Sequence, residues 1–70
     1  MNFEAIVLWF DRYDGKGCVK LLQGDLVVGY KELVFGYYAL GDQEVKTGDA
    51  VTVDVRMFDD TPYVERLRKC

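Results

Sequence analysis

The segment 6–21, IVLWFDRYDGKGCVKL, constrains the fold more than any other part of this sequence. An apolar run ends in Trp9 and Phe10, a polar turn with two glycines follows, and a second apolar run begins at Cys18. Two short runs rich in β-branched and aromatic residues, on either side of a glycine-containing turn, are typical of a β-hairpin. The sequence therefore predicts a strand, a short turn over 11–16 and a second strand.

Regular alternation is clearest at 50–57, where Val51, Val53 and Val55 alternate strictly with polar residues. Alternation with a period of two indicates a strand with one buried face. Similar turn-bounded runs occur elsewhere in the chain. The predicted strands are 1–10, 18–22, 26–30, 50–57 and 63–68.

The link between the third and fourth predicted strands has the least regular pattern. Residues 31–34 predict one helical turn, and 35–47 predict a long ordered loop folded over the core. Loops of this length without secondary structure of their own are often functional. In the strands, alternation predicts a buried set, namely Val19, Leu21, Leu26, Val28, Val53 and Val64, and an outward set on the second strand, namely Lys16, Cys18 and Lys20.

The first strand carries apolar residues on both of its faces. Alternation places Phe3, Ala5, Val7 and Trp9 on one face and Ile6, Leu8 and Phe10 on the other. It leaves open which side of Trp9 faces solvent. A strand that buries one face early and the other late fits the curved sheet of a small barrel. With four further strands, this predicts a five-stranded antiparallel β-barrel that forms one domain over residues 1–70.

Composition narrows the class of protein. The chain has 70 residues, half of them hydrophobic, and a net charge of −3, which together predict one small domain. No apolar segment approaches the roughly 20 residues needed to span a bilayer, and no basic region precedes the first apolar run. We therefore expect a soluble, cytoplasmic protein without a membrane partner. Cys18 and Cys70 are the only cysteines and there is no His, so neither a structural metal site nor a cofactor is expected.

The inventory of reactive side chains argues against catalysis. The sequence has neither Ser nor His, so a Ser/His or Cys/His nucleophile pair is impossible. The acidic pair Asp59 and Asp60 lies in a predicted turn with no pocket implied. The G-x-G at 15–17 opens a hairpin rather than a helix, so it is not a dinucleotide fingerprint. The sequence predicts a protein that is not an enzyme.

The first hairpin resembles that of cold-shock domains, which reads roughly V-K-W-F-N-x-x-K-G-F-G-F-I. Trp9, Phe10 and both glycines keep their places. Residues 25–30, DLVVGY, are similar to the second nucleic-acid-binding motif of that family, D-V-F-V-H-F. Residues 45–51 are similar to its turn into the fourth strand, L-x-E-G-Q-x-V. The resemblance covers nearly the whole chain at low identity and implies an OB-fold, a five-stranded Greek-key barrel.

The resemblance also implies a binding face for single-stranded RNA or DNA, because cold-shock domains stack bases on outward aromatic residues. Trp9, Phe10 and Tyr30 are carried over from the family pattern. Lys16 and Lys20 are expected to add phosphate contacts. Tyr37 and Tyr38, in the long link, offer further stacking. The full candidate set is therefore Trp9, Phe10, Lys16, Lys20, Tyr30, Tyr37 and Tyr38.

The chain departs from the family pattern at several stacking positions. Lys16 and Cys18 replace the two aromatic residues of the first motif, and Val27 and Gly29 replace the aromatic and the histidine of the second. Two hypotheses follow. One is a cold-shock-like binder of single-stranded RNA or DNA with a reduced aromatic platform, acting as an RNA chaperone or a regulator of transcription or translation. The other is a protein-interaction module that keeps the barrel and uses the altered face, with Leu8, Cys18, Val27 and the Tyr-rich loop, to dock another protein.

Overall fold

A computed structural model describes residues 2–22 and 31–70 of the chain. These residues form one antiparallel sheet of five strands in the order β3-β2-β1-β4-β5. The elements are β1 (Asn2–Asp11), β2 (Lys16–Leu21), β3 (Glu32–Gly36), a single 3₁₀ turn (Tyr37–Ala39), β4 (Ala50–Phe58) and β5 (Thr61–Lys69). The predicted all-β class and the antiparallel arrangement of five strands are confirmed. No helix in the described part of the chain is long and apolar enough to cross a membrane.

The sheet curls around β1, which pairs with β2 on one side and with β4 on the other. The edge strands β3 and β5 approach each other, with Cα atoms within 8 Å. No backbone ladder joins them among the described residues, so the observed order has two ends. The structure therefore shows a five-stranded antiparallel sheet that is not closed into a barrel.

The core lies on the inner face of this curled sheet. Val51, Val53 and Val55 of β4 are each at most 1% exposed, so the strict alternation in that strand correctly predicted its buried face. Burying a Val or Leu side chain stabilises a fold by about 1.5–3 kcal/mol. Of the predicted buried set, Val19, Leu21, Val53 and Val64 are confirmed, whereas Leu26 and Val28 lie outside the described residues.

The strand that pairs with β2 is not formed by the predicted residues. Residues 31–34 were expected to form a helical turn and 35–47 a loop, but Glu32–Gly36 forms β3. The prediction was wrong because Leu33, Val34 and Phe35 make a continuous apolar run that hides their period of two. The structure resolves the ambiguity by burying Leu33 and Phe35 and exposing Val34. The predicted third strand, 26–30, lies outside the described residues.

The free edge of β5 is held by a side chain from the segment between β3 and β4. Gln43 Nε2 donates to the carbonyl oxygen of Leu67 at 2.6 Å, and Gln43 Oε1 accepts the backbone N–H of Lys69 at 2.9 Å. Nε2 also donates to the carbonyl oxygen of Leu40 at 3.0 Å. The amide thus occupies one donor and one acceptor of β5, as a neighbouring strand would. Exposed edge groups are otherwise a template for pairing with another chain.

Candidate nucleic-acid interface

A β-bulge in β1 decides where Trp9 points. In the ladder with β2, Val7 lies opposite Val19 and Trp9 lies opposite Cys18, so Leu8 is an extra residue without its own partner. A bulge of this kind shifts the alternation of the strand by one residue. Val7 is therefore buried, while Trp9 faces outward and is 46% exposed. The predicted sharing of one face by Val7 and Trp9 is wrong, because a bulge cannot be seen in the period of the sequence.

The outer face of β1, β2 and β3 consists of three cross-strand rows. The middle row is apolar, and the two flanking rows carry charge. Written from β1 to β3, the rows are Ile6, Lys20 and Glu32; Trp9, Cys18 and Val34; and Asp11, Lys16 and Gly36. We call these nine residues the tryptophan face.

Cys18 lies in the middle row, on the outer face as predicted, but its neighbours cover it. It is only 6% exposed between its larger neighbours Trp9 and Val34. Its Sγ lies 3.9 Å from Glu32 Oε1 and 3.9 Å from the carbonyl oxygen of Val19. Burial raises the pKa of the Cys18 thiol, and the charge and hydrogen bond of Glu32 raise it further. The thiol therefore stays protonated. Because the thiolate is the reactive form, Cys18 acts as a small space-filling side chain.

The two lysines of the tryptophan face stand on opposite sides of Trp9. Lys16 and Lys20 are both exposed, and neither forms an ion pair with another described residue. Two carboxylates share the face. That of Asp11 accepts the backbone N–H groups of the β1–β2 turn, and Glu32 covers Cys18. The face is thus close to neutral, with one lysine in each of the two rows that flank Trp9.

Phe10, another predicted interface residue, lies on the inner side of the sheet. Its ring stacks on that of Phe35, with centroids 5.8 Å apart and planes inclined by 6°. Opposite Phe10 on β2 is Gly17, where a Cβ atom would lie 2.4 Å from Phe35 Cζ. Gly17 is therefore required by the close approach of Phe35. Phe10 supports the β1–β2 hairpin from within rather than presenting a ring beside Trp9.

The two tyrosines after β3 follow different paths. The backbone N–H of Tyr37 donates to the carbonyl oxygen of Gly15 at 2.7 Å, and the ring lies against Gly15, 70% exposed. This places Tyr37 at the end of the tryptophan face that holds Lys16, because Gly36 is the partner of Lys16 in the ladder. The ring of Tyr38 lies over Gly36, and its hydroxyl donates to the carbonyl oxygen of Val64 at 3.4 Å.

The structure thus brings Trp9, Lys16, Lys20 and Tyr37 to one surface, while Tyr38 bridges toward β5 and Tyr30 lies outside the described residues. Sequence reasoning missed Val34, which is 59% exposed next to the Trp9 row. A signal was available in the sequence, because the residues two positions before and after Val34 are Glu32 and Gly36, which do not require burial. A cleft of about 520 Å³ adjoins Tyr37, with Phe10, Leu40 and Val45 among its apolar lining residues.

Comparison with known proteins adds no family to these observations. No protein-family model matches the chain, and no curated protein matches it significantly. Among residues 2–22 and 31–70, no three His, Cys, Asp or Glu side chains are grouped as metal ligands would be. The geometry of the tryptophan face is therefore the basis for a functional proposal.

Proposed function

We propose that this chain binds single-stranded RNA or DNA across the tryptophan face and that it is a divergent cold-shock-like OB-fold domain. The observation that carries the proposal is the bulge at Leu8, which turns Trp9 outward between Lys16 and Lys20. An exposed indole flanked by ammonium groups combines a stacking surface with phosphate attraction. Single-strand binders use this combination.

The strand order supports the fold part of the proposal. An OB-fold is a five-stranded, partly open Greek-key barrel. The order β3-β2-β1-β4-β5 is the order such a barrel has when it is opened between β3 and β5. The approach of these two strands, with Tyr38 and Gln43 bonded to the edge of β5, is consistent with a barrel that lacks only its last ladder.

The register of β3 supports a revised match to the second cold-shock motif. Glu32-Leu33-Val34-Phe35-Gly36-Tyr37 is similar to D-V-F-V-H-F and lies beside β2, where that motif is expected. In this frame Val34 takes the place of an aromatic and Gly36 that of the histidine, while Tyr37 takes the final aromatic position. Tyr37 then joins Trp9 as a stacking residue, and a contribution from Tyr30 stays a prediction.

The proposed mechanism has few contacts. Bases stack on Trp9 and Tyr37, each stack contributing about 1–3 kcal/mol, and Lys16 and Lys20 attract the phosphates between them. The carboxylates of Asp11 and Glu32 on the same face oppose that attraction. Binding should therefore be weak, without strong sequence preference, and steeply dependent on salt, because phosphate contacts release counterions.

Titration with short oligo-dT and oligo-U tests the proposal directly. Trp9 is the sole tryptophan, so a stacked base should quench its emission. For variants, the anisotropy of a labelled oligonucleotide replaces the intrinsic signal. Trp9→Ala should weaken binding roughly 5- to 150-fold, the equivalent of about 1–3 kcal/mol. Phe58→Ala removes another exposed aromatic ring from a different surface and should leave oligonucleotide binding unchanged. Equal losses in the two variants would contradict the proposal.

The second candidate function is protein docking on the same face. The exposed Val34 and the half-exposed Ile6 favour it, because aliphatic side chains offer a partner protein contact area but give bases no stacking surface. The double variant Lys16→Phe/Val34→Phe distinguishes the two, since it places aromatic rings at exposed positions and leaves Cys18 itself unchanged. If the wild type fails to bind at low salt and the double variant binds, the nucleic-acid function has been lost and docking replaces it.

A further inference from the structure

The outer face of the β4–β5 ribbon has two halves of opposite character. The end at the β4–β5 turn, which we call the ribbon tip, carries Phe58, Asp59, Asp60 and Tyr63. Phe58 is 70% exposed and Tyr63 is 39% exposed. Its other end, the arginine end, carries Arg66 and Arg68. One half is therefore aromatic and acidic, and the other is mainly basic, with Asp54 opposite Arg66 in the ladder.

The ribbon tip is an unusual turn. Phe58 and Thr61 form the last pair of the ladder, so Asp59 and Asp60 alone close the hairpin. Their φ angles are +51° and +63°, which is the geometry of a two-residue turn that strongly favours Asn-Gly. Two aspartates at such positions bring strain and mutual repulsion. Neither carboxylate forms an ion pair within residues 2–22 and 31–70, so the tip presents two uncompensated negative charges.

The arginine end presents the opposite charge. Arg56, in the middle of the ribbon, is bound by Glu65, and its Nε also lies 3.9 Å from Asp54 Oδ2. Arg66 and Arg68 are exposed and form no ion pair in the described part of the chain. They border a shallow polar depression of about 310 Å³ on this face. Positive charge is thus available about 20 Å along the strand from the negative tip, at about 3.3 Å per residue.

We propose that the ribbon face binds a second copy of this chain. Two ribbons stack antiparallel about a two-fold axis that passes near Arg56 and Glu65. In such an isologous contact residue i of one copy meets residue j of the other, and j meets i. Each ribbon tip then lies on the arginine end of its partner. The carboxylates of Asp59 and Asp60 pair with the guanidinium groups, and the ring of Phe58 receives them on its face.

The same charges exclude the alternative arrangement. A parallel stacking would bring two acidic tips together and two arginine ends together, and like charges in contact oppose association. Only the antiparallel arrangement satisfies both halves at once. One ribbon face is small compared with the interfaces of stable dimers, so association should be weak and dependent on concentration.

A reciprocal charge exchange tests this arrangement by sedimentation velocity, over a concentration series without nucleic acid. The tip variant is Asp59→Lys/Asp60→Gly, in which the glycine relieves one left-handed position. The arginine-end variant is Arg66→Glu/Arg68→Glu. Alone, each should remain monomeric at concentrations where the wild type dimerises. Mixed in equal amounts they should form a heterodimer, because one contact is restored with reversed charges and the other is native.

The matched control for the arginine-end variant is Arg12→Glu/Lys46→Glu, which makes the same change in net charge away from the ribbon and should dimerise as the wild type does. Cooperative melting of each variant shows that it is folded. A monomeric wild type over the whole series, or variants that do not associate on mixing, would overturn the proposal. So would an arginine-end variant that dimerises normally but loses oligonucleotide binding, which would assign the ribbon face to nucleic acid.

Discussion

The two strands that meet at the centre of the sheet, β1 and β4, differ in how directly their sequences predict which side chains are buried. In β4 the alternation is strict, and Val51, Val53 and Val55 all point into the core. In β1 the extra residue Leu8 shifts the alternation, and the strand exposes Trp9 two residues after burying Val7. The regular strand builds the core, and the irregular strand presents the candidate binding residue. Local rules fail most often where a protein places its function.

The largest expected effect lies on the regular strand. Val53→Ala removes two methyl groups from a side chain with no exposure, and we expect the free energy of unfolding to fall by about 2–3 kcal/mol. Val34→Ala is the matched control, because the same atoms are removed from the exposed tryptophan face and the change should stay within about 0.5 kcal/mol. Urea unfolding of the two variants measures both. Similar losses would show that β3 is not oriented as described.

A smaller loss of stability is expected from a change at Gly17, in the strand β2 that pairs with β1. Gly17→Ala places a methyl group against Phe35 and against the carbonyl oxygen of Trp9, which would lie 2.8 Å away. Overpacking of this kind destabilises by about 1–3 kcal/mol. Lys20→Ala, on the same strand but exposed, serves as the control in thermal melting. An unchanged melting temperature for Gly17→Ala would contradict the close packing of Phe35 beneath the hairpin.

The ribbon tip offers a change of opposite sign. Asp59→Asn/Asp60→Gly replaces two strained, like-charged residues by the pair that this turn favours. We expect stabilisation by about 1 kcal/mol, observed as a higher melting temperature at protein concentrations low enough to keep the chain monomeric. The same variant should dimerise less well than the wild type. A lower melting temperature would mean that the two aspartates make a favourable contact within the monomer.

The smallest expected effect concerns the chemical reactivity of Cys18, the covered residue of the tryptophan face. Its raised pKa leaves Cys18 with less thiolate than an ordinary cysteine at any pH below that pKa. Iodoacetamide at mildly alkaline pH should therefore modify Cys70, which is exposed, well before Cys18. Mass spectrometry of the digested protein follows both sites. Glu32→Gln removes the neighbouring charge and should narrow the difference, and equal rates in the wild type would contradict the burial of Cys18.

Sequence patterns predicted the parts of this molecule in which one rule acts alone. The first hairpin, the alternation of β4 and the buried positions Val19 and Val64 follow from period and turn chemistry. The third strand was misplaced because Leu33, Val34 and Phe35 form a continuous apolar run. The outward turn of Trp9 depends on a bulge, and the covering of Cys18 depends on side chains from two neighbouring strands. These features arise from pairing between strands, which the pattern within a single strand does not contain.

The hold of Gln43 on the edge of β5 depends on its side-chain amide remaining intact. Its Nε2 group faces two carbonyl oxygens, those of Leu40 and Leu67. Deamidation exchanges that nitrogen for a negatively charged oxygen of nearly the same size. Two attractive contacts then become repulsive while the shape of the residue is unchanged. Deamidation of this one side chain would therefore weaken the cover on the edge of β5 and expose that edge to pairing with other chains, without any substitution in the gene.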